Sequence, residues 1–337
     1  MSTPVELVFG SGTFQSEEDF EGHEARIEGL SVLQAEGIKY IDTALIYGTS
    51  EEILGRLGAA KNFVIDTKYP GGFGPVSSIE GIIAAANDSL KKLQTDQVDV
   101  YYLHSPDRRV PLEVSAEAIN TLYEQGKIKR FGISNFLASE VDELVRIAKE
   151  KNWIAPSVYQ GNYSAVARRA ERELFPTLRK HGIQFYAYSP IAGGFLTKDV
   201  ETLLKNAQGR WDPTNMIGAL YHELYNRPTM LEGLKLWEAI SQETGIPKVE
   251  LAYRWVVHNS ILSGEYGDRV IFGARNLVQL KETLGLAKKG PLDAEIVAKI
   301  QKVWELVEAD APLDNYNDGL LKMQEKGNEL AKPPEAK

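Results

Sequence analysis

The sequence predicts an α/β fold, a closed (β/α)8 TIM barrel with a long lid loop and a C-terminal helical extension. Three observations predict it. Short β-rich runs alternate with longer helical patterns about eight times along the 337 residues, the signature of a parallel sheet. The runs are apolar with little alternation, as strands buried on both faces are. No Gly-x-Gly-x-x-Gly turn leads from the first run into a helix, which argues against an open dinucleotide-binding sheet, and the count of eight favours the barrel.

The strands are read at Val5–Phe9, Lys39–Asp42, Phe63–Lys68, Val98–His104, Arg130–Ser134, Ser157–Gln160, Gln184–Ser189 and Arg269–Gly273. The first run is also compatible with a hairpin plugging one end of a barrel. Helical spacing of apolar residues marks Glu24–Glu36, Ile79–Leu93, Val114–Gln125, Ala138–Lys149 and Arg168–Lys180. Gly37, Gly126 and Gly182 suit left-handed caps behind three of these. From Ile191 to about Pro228 the rhythm breaks into a stretch rich in Gly, Pro, Asn, Trp and Tyr, and a long loop of this kind reads as a lid. Helices over Leu231–Thr244 and Val249–Asn259 precede the last strand, and Asp293–Val307 forms a terminal helix. The expected organisation is therefore one barrel domain over residues 1–313, lid included at about 191–228, followed by a polar, mobile tail over 314–337.

Composition removes several classes of function. The formal charge is 38 − 47 = −9 and the pI about 5.3, with no basic stripe for nucleic acid. There is no cysteine, so disulfides, thiolate metal sites and a cysteine nucleophile are excluded. Five scattered histidines make a histidine-rich zinc site a poor expectation. The first residues lack the pattern of a signal peptide, and no apolar run approaches the ~18–20 residues of a membrane span. The cytoplasm is the expected compartment.

Barrel enzymes place their chemistry where strands end. The polar residues there are Asp42, with Tyr47 just beyond, Lys68, His104, Ser134 with Asn135, Gln160, and Tyr188 with Ser189. A buried lysine is costly unless paired, so Lys68 calls for an anion, which Asp42 on the neighbouring strand could supply. A purely structural ion pair is the competing reading. Tyr47 beside Lys68 gains a chemical consequence, because an ammonium favours the phenolate and so readies the hydroxyl for proton transfer at neutral pH. His104 could bond the same substrate oxygen, or simply be a satisfied core histidine. Gly273 and Arg275 lie where the last strand enters a helix. A helix N-terminus and an arginine fork together suit a phosphate, although Arg275 could equally be a solvated surface charge.

These residues resemble the aldo-keto reductases. The resemblance rests on Ile41-Asp42-Thr43-Ala44-Leu45-Ile46-Tyr47-Gly48, Asp66-Thr67-Lys68 and Tyr102-Leu103-His104-Ser105-Pro106-Asp107. Further matches are Phe131-Gly132-Ile133-Ser134-Asn135, Val158-Tyr159-Gln160, the run Phe185 to Gly194, and Ile271-Phe272-Gly273-Ala274-Arg275. It spans roughly residues 5–287. The strings Tyr159 to Ala165, Glu173 to Pro176 and Ala192 to Thr197 are most similar to the aflatoxin-aldehyde reductase branch.

The resemblance implies NADPH-dependent reduction of aldehydes and ketones by hydride transfer, with Asp42, Tyr47, Lys68 and His104 as a catalytic tetrad and Tyr47 as the proton donor. It places Ser134, Asn135 and Gln160 on the nicotinamide carboxamide, Tyr188 on the ring, and Gly12, Thr13 and Asp42 at the ribose. Ser189, Ile191 and Gly193 fall at the pyrophosphate, and Gly273, Arg275, Gln279 and Glu282 at the adenosine end, with Arg275 favouring NADP over NAD. Trp211 and Tyr221 are candidate substrate walls. The chain departs from the family pattern in two places. Thr283 stands where Asn is frequent, and Arg275 is the last arginine, so no basic residue of that kind is left near the C-terminus to hold a substrate carboxylate. The implied partner is a small carbonyl compound, and the resemblance also admits a homodimer. Pyridoxal reduction and a slowly turning over, NADPH-binding regulatory subunit like the channel β-subunits are the alternatives.

Overall fold

The computed structural model describes residues 3–205 and 211–330, the side chains of residues 327–330 excepted. Eight strands close into a barrel in chain order: β1 Glu6–Gly10, β2 Tyr40–Asp42, β3 Val64–Tyr69, β4 Val98–Leu103, β5 Ile128–Ser134, β6 Pro156–Asn162, β7 Gln184–Tyr188 and β8 Arg269–Phe272. Every strand expected from sequence is present within two residues at either end. The first run is not a plugging hairpin but a barrel stave, parallel to β2 through Phe9↔Ile41 and to β8 through Val8↔Ile271. Its alternate apolar residues Leu7 and Phe9, with Val8 between, satisfy both faces of a buried stave.

The chain divides into two compact units. The first comprises residues 1–161, 173–188 and 260–290 and contains the barrel strands. Val8, Val100, Tyr102, Val158, Tyr186 and Ile271 form a core cluster in it. Helices His23–Ala35, Ile79–Leu93, Leu112–Glu124 and Ala138–Lys151 follow the expected spans closely. Ser78 accepts a hydrogen bond from Gly81 N at 3.0 Å and starts the second of these; Gln94, left-handed at φ 53°, ends it. The helix Ser50–Arg56 was too short to leave a period in the sequence. The expected helix Arg168–Lys180 is broken into Ala170–Glu173 and Phe175–Lys180. Pro176 suits the start of a helix and not its middle, because it lacks the N–H that a running helix needs.

The second unit comprises residues 162–172, 189–259 and 291–337. The stretch expected as a lid loop carries helical structure: a 3-10 segment Ala192–Thr197 and helices Val200–Lys205 and Met216–Tyr225. Asn215 caps the last of these by accepting from Gly218 N at 2.8 Å. Aromatic packing, invisible to periodicity over such short spans, holds the stretch: Trp211 stacks on Tyr221 with centroids 5.6 Å apart, and Phe195 on Tyr225 at 5.4 Å. The segment expected as a mobile polar tail begins as ordered structure, with a π-helical turn Tyr316–Leu321 and helix Lys322–Leu330. Asp318 anchors it, taking hydrogen bonds from Arg169 Nη1 at 2.8 Å and Leu313 N at 2.7 Å. A buried carboxylate with such partners orders a chain that composition alone reads as solvated. Among the described residues no helix is long and apolar enough to cross a membrane.

Candidate active site

Asp42 ends β2 and Lys68 lies near the end of the adjacent β3, where the register sets Asp42 opposite Asp66. Lys68 is two residues beyond Asp66 and therefore points to the same side of its strand. The result is a fully buried ion pair: Lys68 Nζ is 2.6 Å from Asp42 Oδ2, and the two side chains are 0% and 4% exposed. Lys68 also donates to Thr43 O at 2.6 Å, and Asp42 Oδ1 accepts from Gln160 Nε2 at 2.8 Å. Each charge thus has a second partner, which is what a buried pair requires to hold its geometry.

Tyr47 sits on the turn after β2, half-buried. Its N–H donates to Ala44 O at 3.0 Å. Gly48, at φ 54°, brings the turn so close to Gln15 O that a Cβ would approach it to 2.5 Å, so only glycine serves here. The Lys68 ammonium lies 5.3 Å from the Tyr47 ring centroid, within cation–π range. The Tyr47 ring meets the His104 ring nearly edge-on at 5.7 Å and 78°. Burial first, and the Lys68 charge second, hold the His104 imidazole well below its ordinary range, so it is neutral. Its Nδ1 is buried without a hydrogen-bond partner. The four residues proposed from the strand ends are thus brought together.

The neighbouring strand ends add a polar rim. Asn135 adopts a left-handed φ of 62°, a conformation that asparagine tolerates better than most residues. Its Nδ2 donates to His104 O at 2.8 Å and to Ser134 Oγ at 3.1 Å, and its Oδ1 accepts from Tyr188 OH at 2.9 Å. Gln160, with Nε2 committed to Asp42, retains Oε1 as an acceptor. Gly12 runs along the Tyr47 ring, where a Cβ would sit 3.6 Å away, and Thr13 Oγ1 donates to Ala274 O at 2.7 Å.

Beyond β8, Gly273 and Arg275 are exposed. Two of the first amides of helix Leu277–Ala287, and one just before it, are answered from within the chain. Gln279 Oε1 accepts from Arg275 N at 3.0 Å, Asn276 Oδ1 from Gln279 N at 2.8 Å, and Glu21 Oε2 from Leu277 N at 3.2 Å. The Arg275 guanidinium beside them makes no ion pair among the described residues and is open to an anion. Glu282 is exposed on the same helix, and Thr283 is buried. Ser189, Ile191 and Gly193 belong to the second unit, where Ser189 and Gly193 are left-handed. There Trp211 and Tyr221 are 1% and 7% exposed, and Trp211 Nε1 donates to Gly193 O at 3.0 Å. These two rings pack within their own unit, Trp211 stacking on Tyr221, as loop aromatics do.

Sequence reasoning missed Phe73. It lies on the loop after β3, edge-on to His104 with centroids 5.3 Å apart. Gly71 docks that loop so closely that a Cβ would come within 2.0 Å of Ser105 O, and Arg109 Nη2 donates to Gly74 O at 2.9 Å. The Gly71-Gly72 pair was the available signal. Asp66 was also passed over, although it stands two residues from Lys68 in a string already quoted.

A parallel barrel whose strand ends gather a buried carboxylate–ammonium pair, a tyrosine and a neutral histidine defines a barrel oxidoreductase. The chain belongs to the aldo/keto reductase family, whose model matches residues 6–305. It is 39% identical over 315 residues to the oxidoreductase sirO of Leptosphaeria maculans, covering 91% of this chain and 95% of that one. It is 39% identical to human aldo-keto reductase family 7 member A3 (82% of this chain, 87% of the relative) and 37% identical to human aflatoxin B1 aldehyde reductase member 4, with the same coverage. The branch suggested by the strings around Tyr159 and Ala192 is among these relatives.

Proposed function

We propose that the protein reduces aldehydes and ketones to alcohols with NADPH, and that Tyr47 delivers the proton. The observation that carries this reading is the Lys68 ammonium, fully buried, salt-bridged to Asp42 and 5.3 Å from the Tyr47 ring. A bound nicotinamide would supply the hydride. The chain's own residues handle the proton and the charge. Tyr47 OH donates to the carbonyl oxygen as negative charge develops there. Lys68 stabilises the phenolate left behind, and Asp42 holds Lys68 in place. His104, being neutral, can donate an N–H to the same oxygen without placing a second cation beside Lys68.

Ser134 Oγ and Gln160 Oε1 offer a donor and an acceptor that fit a carboxamide, Asn135 steadies Ser134, and Tyr188, tethered through its hydroxyl to Asn135, offers a ring face. Gly12, Thr13 and Asp42 would line the ribose. Arg275 supports NADPH over NADH, because its guanidinium can fork onto a phosphate; Gly273, Gln279 and Glu282 lie beside it in the chain. With two of the helix's first amides already engaged, this side chain is the group we expect to discriminate. Arg275→Ala is then expected to raise the KM for NADPH about tenfold or more and to leave that for NADH nearly unchanged. Equal effects on both cofactors would remove Arg275 from the selection.

The test of the main reading is Tyr47→Phe. NADPH titration by fluorescence should give near wild-type binding, while turnover of an aromatic aldehyde falls on the order of 10²–10⁴-fold. Undiminished turnover in the variant would exclude Tyr47 as the donor.

A further inference from the structure

Directly beneath the Asp42–Lys68 pair lies a second acid that the reaction above leaves unused. Asp66 faces Asp42 across the β2–β3 register and is 0% exposed. Its Oδ1 accepts a single hydrogen bond, from Val100 N at 3.1 Å, and its Oδ2 has no partner. Among the described residues no cation forms an ion pair with it, and Arg130 acts on it only at a distance. Lys68 is committed to Asp42 and Thr43 O. Arg130 is committed to Asp99, with Nη2 2.6 Å from Oδ2, and to Gln184 Oε1 and Tyr186 OH at 2.8 and 3.1 Å.

We infer that Asp66 is a positioning residue for the reduction, held as an uncharged carboxylic acid so that Lys68 serves one carboxylate, Asp42, and keeps its field on Tyr47. The inference rests on the proposed role of Tyr47. An ionised Asp66 would be an uncompensated buried charge beside two other carboxylates, Asp42 on β2 and Asp99 on β4. The groups that act on it from the packed strands are Asp42, Asp99, Tyr102, Arg130 and Tyr186, of which Arg130 is the cation, while Lys68 lies two residues further along its own strand. Burial first, then Asp99 and Asp42, push Asp66 up to about 8. Tyr102 links the two layers: its ring centroid is 5.6 Å from the Lys68 ammonium. Its hydroxyl is buried without a partner. Once Asp66 loses its proton, the added negative charge offsets the Lys68 field, so Tyr47 holds its proton more tightly and reduction slows.

The test is Asp66→Asn, which keeps shape and the acceptor for Val100 N while removing the charge. The pH profile of kcat for NADPH-dependent aldehyde reduction should lose the part of its alkaline limb near pH 8, the limb moving up by about half a pH unit or more. In parallel, the thermal midpoint of wild type should fall by several degrees between pH 6 and 8, and that fall should shrink in the variant. Asp66→Ala controls for packing: it should be less stable at every pH yet share the shifted limb. Coincident kcat limbs in wild type and Asp66→Asn overturn the inference, even where the stability slope differs, since Asp66 is then structural only. A wild-type enzyme that reduces no carbonyl overturns the function reading instead, and an unchanged stability slope then overturns the uncharged state of Asp66 independently.

Discussion

Lys68 is a fully buried charge whose partner is also buried. Removing its charge leaves Asp42 buried with only Gln160 Nε2 as a side-chain donor, and breaking a buried pair from one side costs about 3–5 kcal/mol. Lys68→Met is therefore expected to lower the urea midpoint sharply as well as abolish turnover. Asp42→Leu combined with Lys68→Met should recover a substantial part of that stability without recovering activity, because two apolar residues leave no orphaned charge. If the double variant is as unstable as the sum of the singles, the pair is not the source of the cost. The pair itself was legible in the sequence, since a lysine flanked by Thr67 and Tyr69 on an apolar strand demands an anion and the register of parallel neighbours supplies one. Asp66 was not legible in the same way. Its meaning depends on which cations are already taken, and Arg130's commitment to Asp99 appears only in three dimensions.

At the scale of elements, long amphipathic helices and buried strands were read from period and composition, because each buries one continuous stripe or run. The failures share a cause. Helix Ser50–Arg56 and the helices between Val200 and Tyr225 are too short to show a period, and tertiary packing of Phe195, Trp211, Tyr221 and Tyr225 stabilises the latter. Glycines mark where elements touch. Gly132 on β5 faces Tyr102 on β4 in register, and a Cβ there would fall 2.3 Å from the Tyr102 ring and 2.5 Å from Val100 Cγ1. Tyr102 lies over Lys68, so Gly132 keeps the space the ammonium's aromatic neighbour fills. Gly132→Val is expected to destabilise by about 1–3 kcal/mol through overpacking, read as a lower denaturant midpoint. Adding Tyr102→Leu to Gly132→Val should recover part of the loss, the contact with Val100 Cγ1 keeping the rest. Failure of that relief would place the strain elsewhere than the Tyr102 ring.

Across the whole molecule, the buried titratable groups set a stability profile with a definite sign. Asp66 is raised to about 8 and Asp314 to about 6, both chiefly by burial, and Glu51 is raised for the same reason. A carboxyl whose pKa is higher folded than unfolded binds its proton more tightly in the fold, so stability falls as pH rises from about 4 through the folded value. Asp314 acts up to about pH 6 and Asp66 continues to about pH 8, with Glu51 contributing in the same direction. His104 acts the other way: held neutral by burial, it costs stability below its unfolded value near ~6.5 and so offsets one of the three in acid. Asp107, lowered to about 2 with Arg109 and Ser77 on its oxygens, and Asp318, lowered by Lys322, lose their contribution only below about pH 4. The sum places the expected maximum of the thermal midpoint on the acid side, near pH 4–5, with a decline toward pH 8. The net charge of −9 at pH 7 adds repulsion in the same direction. Calorimetry at constant ionic strength from pH 4 to 9 checks this. A midpoint that rises steadily from pH 5 to 8 would mean that the buried acids are ionised in the fold, and it would remove the physical basis for an uncharged Asp66 beneath Lys68.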